Sequence, residues 1–283
     1  MKLTAIRSFY HQELSSLYEK KEIDRFFHIL LENYTGLDTL ALVLKPDLAA
    51  SKEEEQLLFE ALAALRLEKP IQYITGKAFF YGFDINVNQH VLIPRPETEE
   101  LVDWVIKDHK NTKNTSLKIL DIGTGSGCIA IALAKELPRA QVYGLDISEE
   151  ALKVATNNAK QLDTNVHFIQ TNILTAVSLK EQYDIIVSNP PYVRFSEAEV
   201  MKRNVCEYEP HLALFVRDND PLVYYKKIAE LAVDNLTDHG TLYLEINQYL
   251  AVEMQTLLKE KGFSRVTLAR DLSGNDRMIK AQK

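Results

Sequence analysis

Cysteine is scarce in this sequence: Cys128 and Cys206 are the only two among 283 residues, and they form no CxxC spacing. The seven histidines are scattered along the chain and show no metal-ligand spacing. These two absences argue against a disulfide framework and against a zinc site. We therefore predict that the chain works in a reducing compartment and binds no metal.

The sequence also lacks long apolar runs and an excess of basic charge. No stretch reaches membrane-spanning length, and the first residues lack the apolar core of a signal peptide. Lys and Arg number 33 against 40 Asp and Glu, which gives a formal net charge of −7. A surface that is basic throughout, as in many nucleic-acid-binding proteins, is thereby excluded, although a local basic patch stays open. We predict a cytoplasmic monomer that contacts no membrane and binds no nucleic acid directly.

The hydrophobic pattern changes twice along the chain and predicts three segments. Over residues 1–75 the apolar positions recur at helical spacing, which predicts a small helical domain. Residues 76–95 alternate aromatic and β-branched positions, which is typical of a β-hairpin and predicts a linker. Residues 96–283 alternate strand and helix patterns, and this alternation predicts a doubly wound α/β sheet.

Local signals place some of the element ends within these segments. Ser51 and Glu54 have the spacing of a capping box and predict a helix start. Val91 and Ile93 continue the alternation of the hairpin, and residues 111–116 are polar and predict a linker. The predicted strands of the sheet cover residues 118–121, 141–145, 166–170, 183–188 and 241–246, with two further β segments at 265–269 and 277–281.

A glycine-rich loop follows the first predicted strand of the sheet. Residues 120–127 read LDIGTGSG and lead from that strand into a helix. Glycines let the backbone approach a ligand closely, and a helix N-terminus favours a polar or anionic group. Cys128 stands where a dinucleotide fingerprint needs its last glycine, so the spacing argues against NAD. Asp121 could accept a hydrogen bond from a ligand ammonium group; the alternative is a turn carboxylate before the helix.

A second carboxylate, Asp146, ends the next predicted strand. An acid at this position in nucleoside-binding α/β folds accepts hydrogen bonds from the ribose hydroxyls. The alternative is that Asp146 caps the following helix, but Ser148 is already available for that role. The two strand ends together predict a nucleoside site at the carboxyl edge of the sheet.

The fourth predicted strand runs into the sequence SNPPYV, residues 188–193. Two consecutive prolines remove two backbone donors and fix two φ angles, which makes a stiff loop with free carbonyls. The Asn189 side-chain oxygen and the Pro190 carbonyl could each accept one N–H of a planar amide or amine, and Tyr192 could stack on it. In a doubly wound sheet this strand lies beside the first, so the loop faces the glycines. The alternative is a rigid turn without a ligand.

The glycine loop and the NPPY sequence together resemble methyltransferases that act on planar nitrogens. These include adenine-DNA, rRNA-guanine and protein-glutamine enzymes. Three further stretches, PIQYITG at 70–76, VLIPRPETE at 91–99 and EYEP at 207–210, are similar to the peptide chain release factor glutamine N(5)-methyltransferases, the PrmC/HemK family. The resemblance extends from about residue 70 to the end of the chain.

This resemblance implies a Rossmann-like class I methyltransferase sheet, S-adenosyl-L-methionine as cofactor, and peptide chain release factors as the protein substrate. The methyl acceptor would be the glutamine side chain of their Gly-Gly-Gln motif, and the helical domain would help to dock the release factor. The implied substrate contacts, which are also the catalytic residues apart from Pro191, are Asn189, Pro190, Pro191 and Tyr192. The implied cofactor contacts are Gly123, Thr124, Gly125, Ser126, Gly127, Asp146, Asn172, Ile173 and Asn189, to which the chemistry above adds Asp121.

Three places depart from the family pattern, and a fourth allows a second interpretation. Residues 95–98 would lie at the lid side of the cofactor pocket, or they form an ordinary helix start with proline in its first turn. Ile173 replaces an aromatic residue of some relatives. Residues 217–221 and Asn247 stand where the family usually has glycine-bearing turns, so loop shape there is not predicted.

Two other functions remain open at this point. A nucleic-acid amino-methyltransferase, acting on DNA adenine or rRNA, would use the same NPPY geometry but would be expected to have a basic cleft. A docking module that keeps the cofactor site without catalysis is the second alternative. The acidic balance and the lack of an added recognition domain favour the protein-glutamine enzyme.

Overall fold

The computed structural model describes residues 1–110 and 116–283, so most of the predicted polar linker at 111–116 lies outside the described residues. The chain forms two compact units. The first comprises residues 1–76 with 202–208, and the second comprises residues 77–201 with 209–283. Among the described residues, no helix is both long and apolar enough to cross a membrane. The predicted segment boundaries stay predictions, and each unit is described by itself.

The first unit is helical, as the apolar spacing predicts. Ser51 Oγ accepts from the Glu54 backbone N–H at 3.2 Å and the Glu54 carboxylate accepts from the Ser51 N–H at 2.7 Å, which confirms the capping box. The packed faces include Tyr10 against Phe27, with ring centroids 5.2 Å apart. Numbered in chain order, its helices are α1 (Leu3–Leu14), α2 (Lys20–Thr35), α3 (Thr39–Leu44), α4 (Lys52–Arg66), α5 (Ile71–Thr75) and α9 (Arg203–Tyr208).

The second unit begins with a β-hairpin, β1 (Lys77–Phe80) and β2 (Phe83–Asn86), which is shorter than predicted. Its two-residue turn has positive φ at Tyr81 (46°) and Gly82 (90°), as the tightest hairpin turns require. Val91 and Ile93 lie outside the hairpin, so their predicted place in it is wrong. Ile93 N–H donates to the Glu209 carboxylate at 3.1 Å instead of to a strand partner.

A seven-stranded sheet forms the body of the second unit and confirms the predicted α/β fold. Its strand order is β10-β11-β9-β6-β3-β4-β5; the five strands from β9 to β5 are parallel, and β11 is antiparallel to both of its neighbours, β9 and β10. β6 pairs directly with β3, as the doubly wound topology predicts. The strands are β3 (Lys118–Ile122), β4 (Gln141–Asp146), β5 (Val166–Gln170), β6 (Tyr183–Ser188), β9 (Leu236–Glu245), β10 (Arg265–Arg270) and β11 (Asp276–Gln282).

Helices connect these strands, as the alternating pattern of residues 96–283 predicts. The two-stranded pair of β7 and β8 and the short α10 lie between residues 193 and 216, where no element was predicted because each is too short to show a period. The helices are α6 (Pro96–His109), α7 (Cys128–Glu136), α8 (Glu149–Gln161), α10 (His211–Leu214), α11 (Val223–Asn235) and α12 (Ala251–Glu260), and the pair is β7 (Val193–Arg194) with β8 (Phe215–Val216).

Gly144, in the middle of β4, leaves room for the glycine loop and for its neighbour on β5. A Cβ at this position would lie 2.8 Å from the Phe168 ring and 2.9 Å from Thr124 Oγ1. Both distances are shorter than carbon atoms tolerate, so this position needs glycine for a steric reason.

We expect Gly144→Ala to lower the free energy of unfolding by about 1–3 kcal/mol, because the added methyl overpacks the space between Phe168 and Thr124. Chemical denaturation measures the loss. In a Phe168→Ala background the same change should cost less, since the ring that it meets is gone. An equal cost in both backgrounds would contradict the steric explanation.

Candidate active site

A cavity of about 220 Å³ opens at the carboxyl edge of the parallel sheet. Three strands end there in register, because Ile122 of β3 pairs with Leu145 of β4 and with Ser188 of β6. The next residues of the three strands are Gly123, Asp146 and Asn189, and all three line the cavity. Pairing of the sheet thus brings the three sequence motifs to one place.

The predicted site residues divide into those that line the cavity and those behind it. The cavity walls include Gly123, Gly125, Asp146, Asn172, Ile173, Asn189, Pro190 and Pro191. The remaining predicted residues, which are not among its walls, are Asp121, Thr124, Ser126, Gly127 and Tyr192.

The glycine loop adopts a conformation that only glycine reaches easily. Gly123 and Gly125 have φ of 76° and 54°, and a Cβ on either would meet no atom within 4 Å, so both border open space. Gly127 differs, because a Cβ there would lie 3.1 Å from both Ala155 and Ile131. Gly123 and Gly125 therefore give a ligand access to the backbone, whereas Gly127 allows close packing behind the loop.

The Asp146 carboxylate connects this loop to the start of α8. Its Oδ2 accepts from the Gly125 N–H and its Oδ1 from the Ser148 N–H, both at 2.9 Å. The N-cap of α8 is Ser148, whose Oγ accepts from the Ala151 N–H at 3.1 Å. Asp146 lines the cavity, and its carboxylate has further lone pairs that can accept ligand hydroxyls.

Asp121 is a fully buried carboxylate behind the glycine loop. Its Oδ2 accepts from Thr124 Oγ1 at 2.6 Å, while Oδ1 makes no hydrogen bond of normal geometry with any described residue. Burial and the charge of Asp146 raise the pKa of Asp121 to about 7, and the Thr124 hydroxyl and the Ala130 N–H oppose this rise. An unsatisfied buried oxygen is costly, so this carboxyl group retains the capacity to accept one further hydrogen bond.

The loop after β6 is fixed at both sides of Asn189. Ser188 Oγ donates to the Ile122 carbonyl at 2.6 Å and ties the end of β6 to β3. Asn189 Nδ2 donates to Thr98 Oγ1 at 3.1 Å. The Tyr192 side chain is half-buried, and its hydroxyl donates to Glu245 Oε1 at 2.9 Å. The predicted stacking of Tyr192 on a substrate amide stays a prediction.

Residues 95–98 are not among the walls of the cavity and form the start of α6, with Pro96 in its first turn. Arg95 forms an ion pair with Glu209 at 2.5 Å, and Thr98 is buried against Glu245 at 2.6 Å between oxygens. The helix-start interpretation therefore describes the segment. The segment contributes to the site through Thr98, because the Thr98 hydroxyl contacts the Asn189 side chain.

Several cavity walls were not predicted from the sequence. They come from the segment after the hairpin and from helices α10 and α11, and the main ones are Gln89, His90, Val91, Leu92, Pro210, Leu212, Ala213, Tyr224 and Ile228. Residues 91 and 92 and Pro210 fall in stretches that carry the family resemblance, and this resemblance was the signal from which they could have been predicted. Within residues 1–110 and 116–283, no group of three or more His, Cys, Asp or Glu side chains could hold a metal ion.

Comparisons with known proteins find relatives along nearly the whole chain. Residues 113–282 match a family model described as a methyltransferase domain, and residues 11–76 match one described as the PrmC N-terminal domain. A release factor glutamine methyltransferase from Flavobacterium psychrophilum is 51% identical over 275 residues, which are 97% of this chain and 96% of that protein.

Two further comparisons extend this result. A protein of the same name from Bacteroides thetaiotaomicron is 40% identical over 99% of this chain and 100% of its own length. A crystal structure of a methyltransferase from Pyrococcus furiosus gives a TM-score of 0.52 at 18% identity, over 83% of this chain and 99% of that chain. The last comparison supports the fold alone.

The position of Asp146 generates a prediction for ligand binding. Asp146→Ala should weaken S-adenosylmethionine binding by about tenfold to a hundredfold, because a charged acceptor for two hydroxyls is lost. Isothermal titration calorimetry measures the affinity, with Glu149→Ala as a control that removes an exposed carboxylate nearby. An unchanged affinity in Asp146→Ala would refute the ribose assignment.

Proposed function

The chain belongs to the release factor glutamine methyltransferase family, and we propose that it methylates the side-chain amide nitrogen of the Gly-Gly-Gln glutamine in peptide chain release factors. The predicted family is confirmed by relatives that are similar over nearly the full length. The observation that carries the proposal for the site is that the glycine loop and the proline-flanked Asn189 line one cavity.

The residues present fit S-adenosylmethionine as the cofactor of this family. Gly123 and Gly125 border open space, Asp146 offers acceptors for ribose hydroxyls, and Ile173 provides an apolar wall for a base. The unsatisfied Asp121 oxygen is available as an acceptor for an ammonium group. When bound, the cofactor supplies a methyl group on a positively charged sulfur, which is a strong electrophile.

The contribution of this chain to the transfer is orientation. An amide nitrogen is a poor nucleophile because its lone pair is delocalised, so its direction and desolvation determine the rate. We assign Asn189 Oδ1 and the Pro190 carbonyl as acceptors for the two N–H groups, with Pro191 keeping the loop stiff and Tyr192 beside the amide plane. No general base is required before the attack, since the extra proton leaves afterwards.

The helical first unit is assigned to docking of the release factor. Its match to the PrmC N-terminal domain supports a role particular to this family. A monomeric state, a cytoplasmic location and the absence of direct nucleic-acid binding belong to the same proposal. The net charge of −7 supports a protein substrate over a nucleic acid.

Asn189→Ala should reduce methyl transfer by about a hundredfold or more, because one amide N–H loses the acceptor that orients the nitrogen. Transfer of a labelled methyl group to a release factor measures the rate, and the unfolding midpoint checks that the fold is intact. Near-normal methylation by this variant would show that the loop does not orient the nucleophile.

A labelling experiment separates the proposed function from its alternatives. The protein is incubated with labelled S-adenosylmethionine and with either a release factor or total RNA. Label in the release factor, at the glutamine of Gly-Gly-Gln, is the expected result. Label in RNA alone would reject the proposal, and no label in either would favour a docking module without catalysis.

A further inference from the structure

A single buried carboxylate connects to both functional side chains of the NPPY loop. Glu245 ends β9, the strand beside β6, and is 1% exposed. Its Oε1 accepts from the Tyr192 hydroxyl at 2.9 Å and its Oε2 from the Thr98 hydroxyl at 2.6 Å. Thr98, itself 2% exposed, is also the partner of Asn189. The proposed methyl transfer assigns no role to Glu245 or Thr98.

The direction of each hydrogen bond in this chain follows from the number of hydrogens available. A threonine hydroxyl has one hydrogen, and an ionised carboxylate only accepts. At 2.6 Å from Glu245 Oε2, Thr98 gives its hydrogen to the carboxylate. The Thr98 oxygen can then only accept, so the partner that faces it must be the NH2 group of Asn189, at 3.1 Å.

Fixing the NH2 group also fixes the other end of the carboxamide. The Asn189 oxygen must point away from Thr98, and Asn189 lines the cavity. If Thr98 could donate to Asn189, the carboxamide could turn over and present NH2 where an acceptor is needed. A donor there would repel the N–H of an incoming amide.

We propose that Thr98 and Glu245 are positioning residues that hold the Asn189 carboxamide with its oxygen as the acceptor for the substrate N–H. This inference rests on the proposed function, since it assigns the origin of the geometry that the transfer requires. The same carboxylate anchors Tyr192, so both side chains of the loop depend on one group.

Burial raises the pKa of Glu245 and so acts against its ionised form, whereas the hydrogen bonds from Thr98 and Tyr192 and the charge of Arg277 favour that form. Arg277 is itself held by Asp271 at 3.2 Å. Burial and the Glu245 charge raise the pKa of Tyr192 well above its usual value, so its hydroxyl remains protonated and donates.

The test compares two substitutions at Thr98. Thr98→Val keeps the shape and removes the hydroxyl, and it should lower kcat for release-factor methylation by about tenfold or more, with the affinity for S-adenosylmethionine nearly unchanged. Thr98→Ser keeps the hydroxyl and should recover most of that loss. Thr256→Val, an exposed threonine on α12, is the matched control. Wild-type kcat in Thr98→Val, or equal loss in Thr98→Ser, would overturn the inference.

A second measurement does not depend on the methyl acceptor. The side-chain NH2 signals of Asn189 in a ¹⁵N spectrum can be assigned by their loss in Asn189→Asp. They should shift in Thr98→Val and stay in place in Thr98→Ser. Unchanged signals in Thr98→Val would overturn the positioning role, whereas a wild-type protein that transfers no methyl group to a release factor would overturn only the proposed function.

Glu245→Gln provides a route if Thr98→Val does not fold. This change removes the obligatory acceptor, so the Thr98 hydrogen is no longer committed to residue 245 and the Asn189 carboxamide loses its fixed direction. The Asn189 NH2 signals should then shift or broaden, and kcat should fall while S-adenosylmethionine still binds. Sharp signals at their wild-type positions would overturn the inference.

Discussion

The pairing of β3 with β6 is the constraint on which the site depends. Ile122 lies opposite Ser188, and the Ser188 hydroxyl donates to the Ile122 carbonyl at 2.6 Å. The chain leaves both strands at the same level, so Gly123 and Asn189 emerge side by side. A shift of this register by one residue would turn the side chains of the shifted strand to the opposite face and separate the two loops. The site is therefore determined by sheet register before any side chain contacts a ligand.

Two buried acids near this edge show how the fold accommodates its function. A carboxyl group without full hydrogen bonding in the interior is destabilising, and burial raises the pKa of both Asp121 and Glu245. An apolar residue at either position would give a simpler core. Asp121 retains one unsatisfied oxygen, whereas Glu245 has two donors. The first can accept one more hydrogen bond, whereas both oxygens of the second are already used to hold protein groups.

Much of the fold and part of the site could be predicted from the sequence, because they follow from patterns between residues close together in the chain and from a regular topology. Strand periodicity and doubly wound topology are regular, so the neighbouring positions of β3 and β6 and the loops at their ends followed from the chain order. The contact between Thr98 and Glu245 joins residues 147 positions apart in two separate motifs. No spacing rule connects such residues, because the contact exists only after the sheet and α6 have packed.

The short elements between residues 193 and 216 were missed for a related reason. α10 has four residues and β7 and β8 have two each, about one period of the helical or the strand pattern, so no repeat can be seen in them. Their positions depend on tertiary contacts such as the stacking of Phe195 on Phe215, with ring centroids 5.1 Å apart. The cavity walls contributed by α10 could therefore not be predicted from the hydrophobic pattern.

The departures from the family pattern at Asn247 and at residues 217–221 are explained by local side-chain contacts. Asn247 has φ of −65°, a conformation open to any residue, so glycine is not required there. Its Nδ2 donates to the Tyr192 carbonyl at 3.2 Å and to the Glu197 carboxylate at 3.1 Å. The side chain that glycine would lack thus supports the backbone at the end of the NPPY loop.

The turn at residues 217–221 also supports the segment that follows the NPPY loop. Asp218 Oδ1 accepts from both the Ser196 N–H at 3.0 Å and the Ser196 Oγ at 2.8 Å. Ser196 follows the NPPY loop by four residues, so this turn and Asn247 hold the same segment from two sides. In this chain the loop after Tyr192 is braced by side chains, and the geometry at Asn189 is left to the Thr98 and Glu245 contacts.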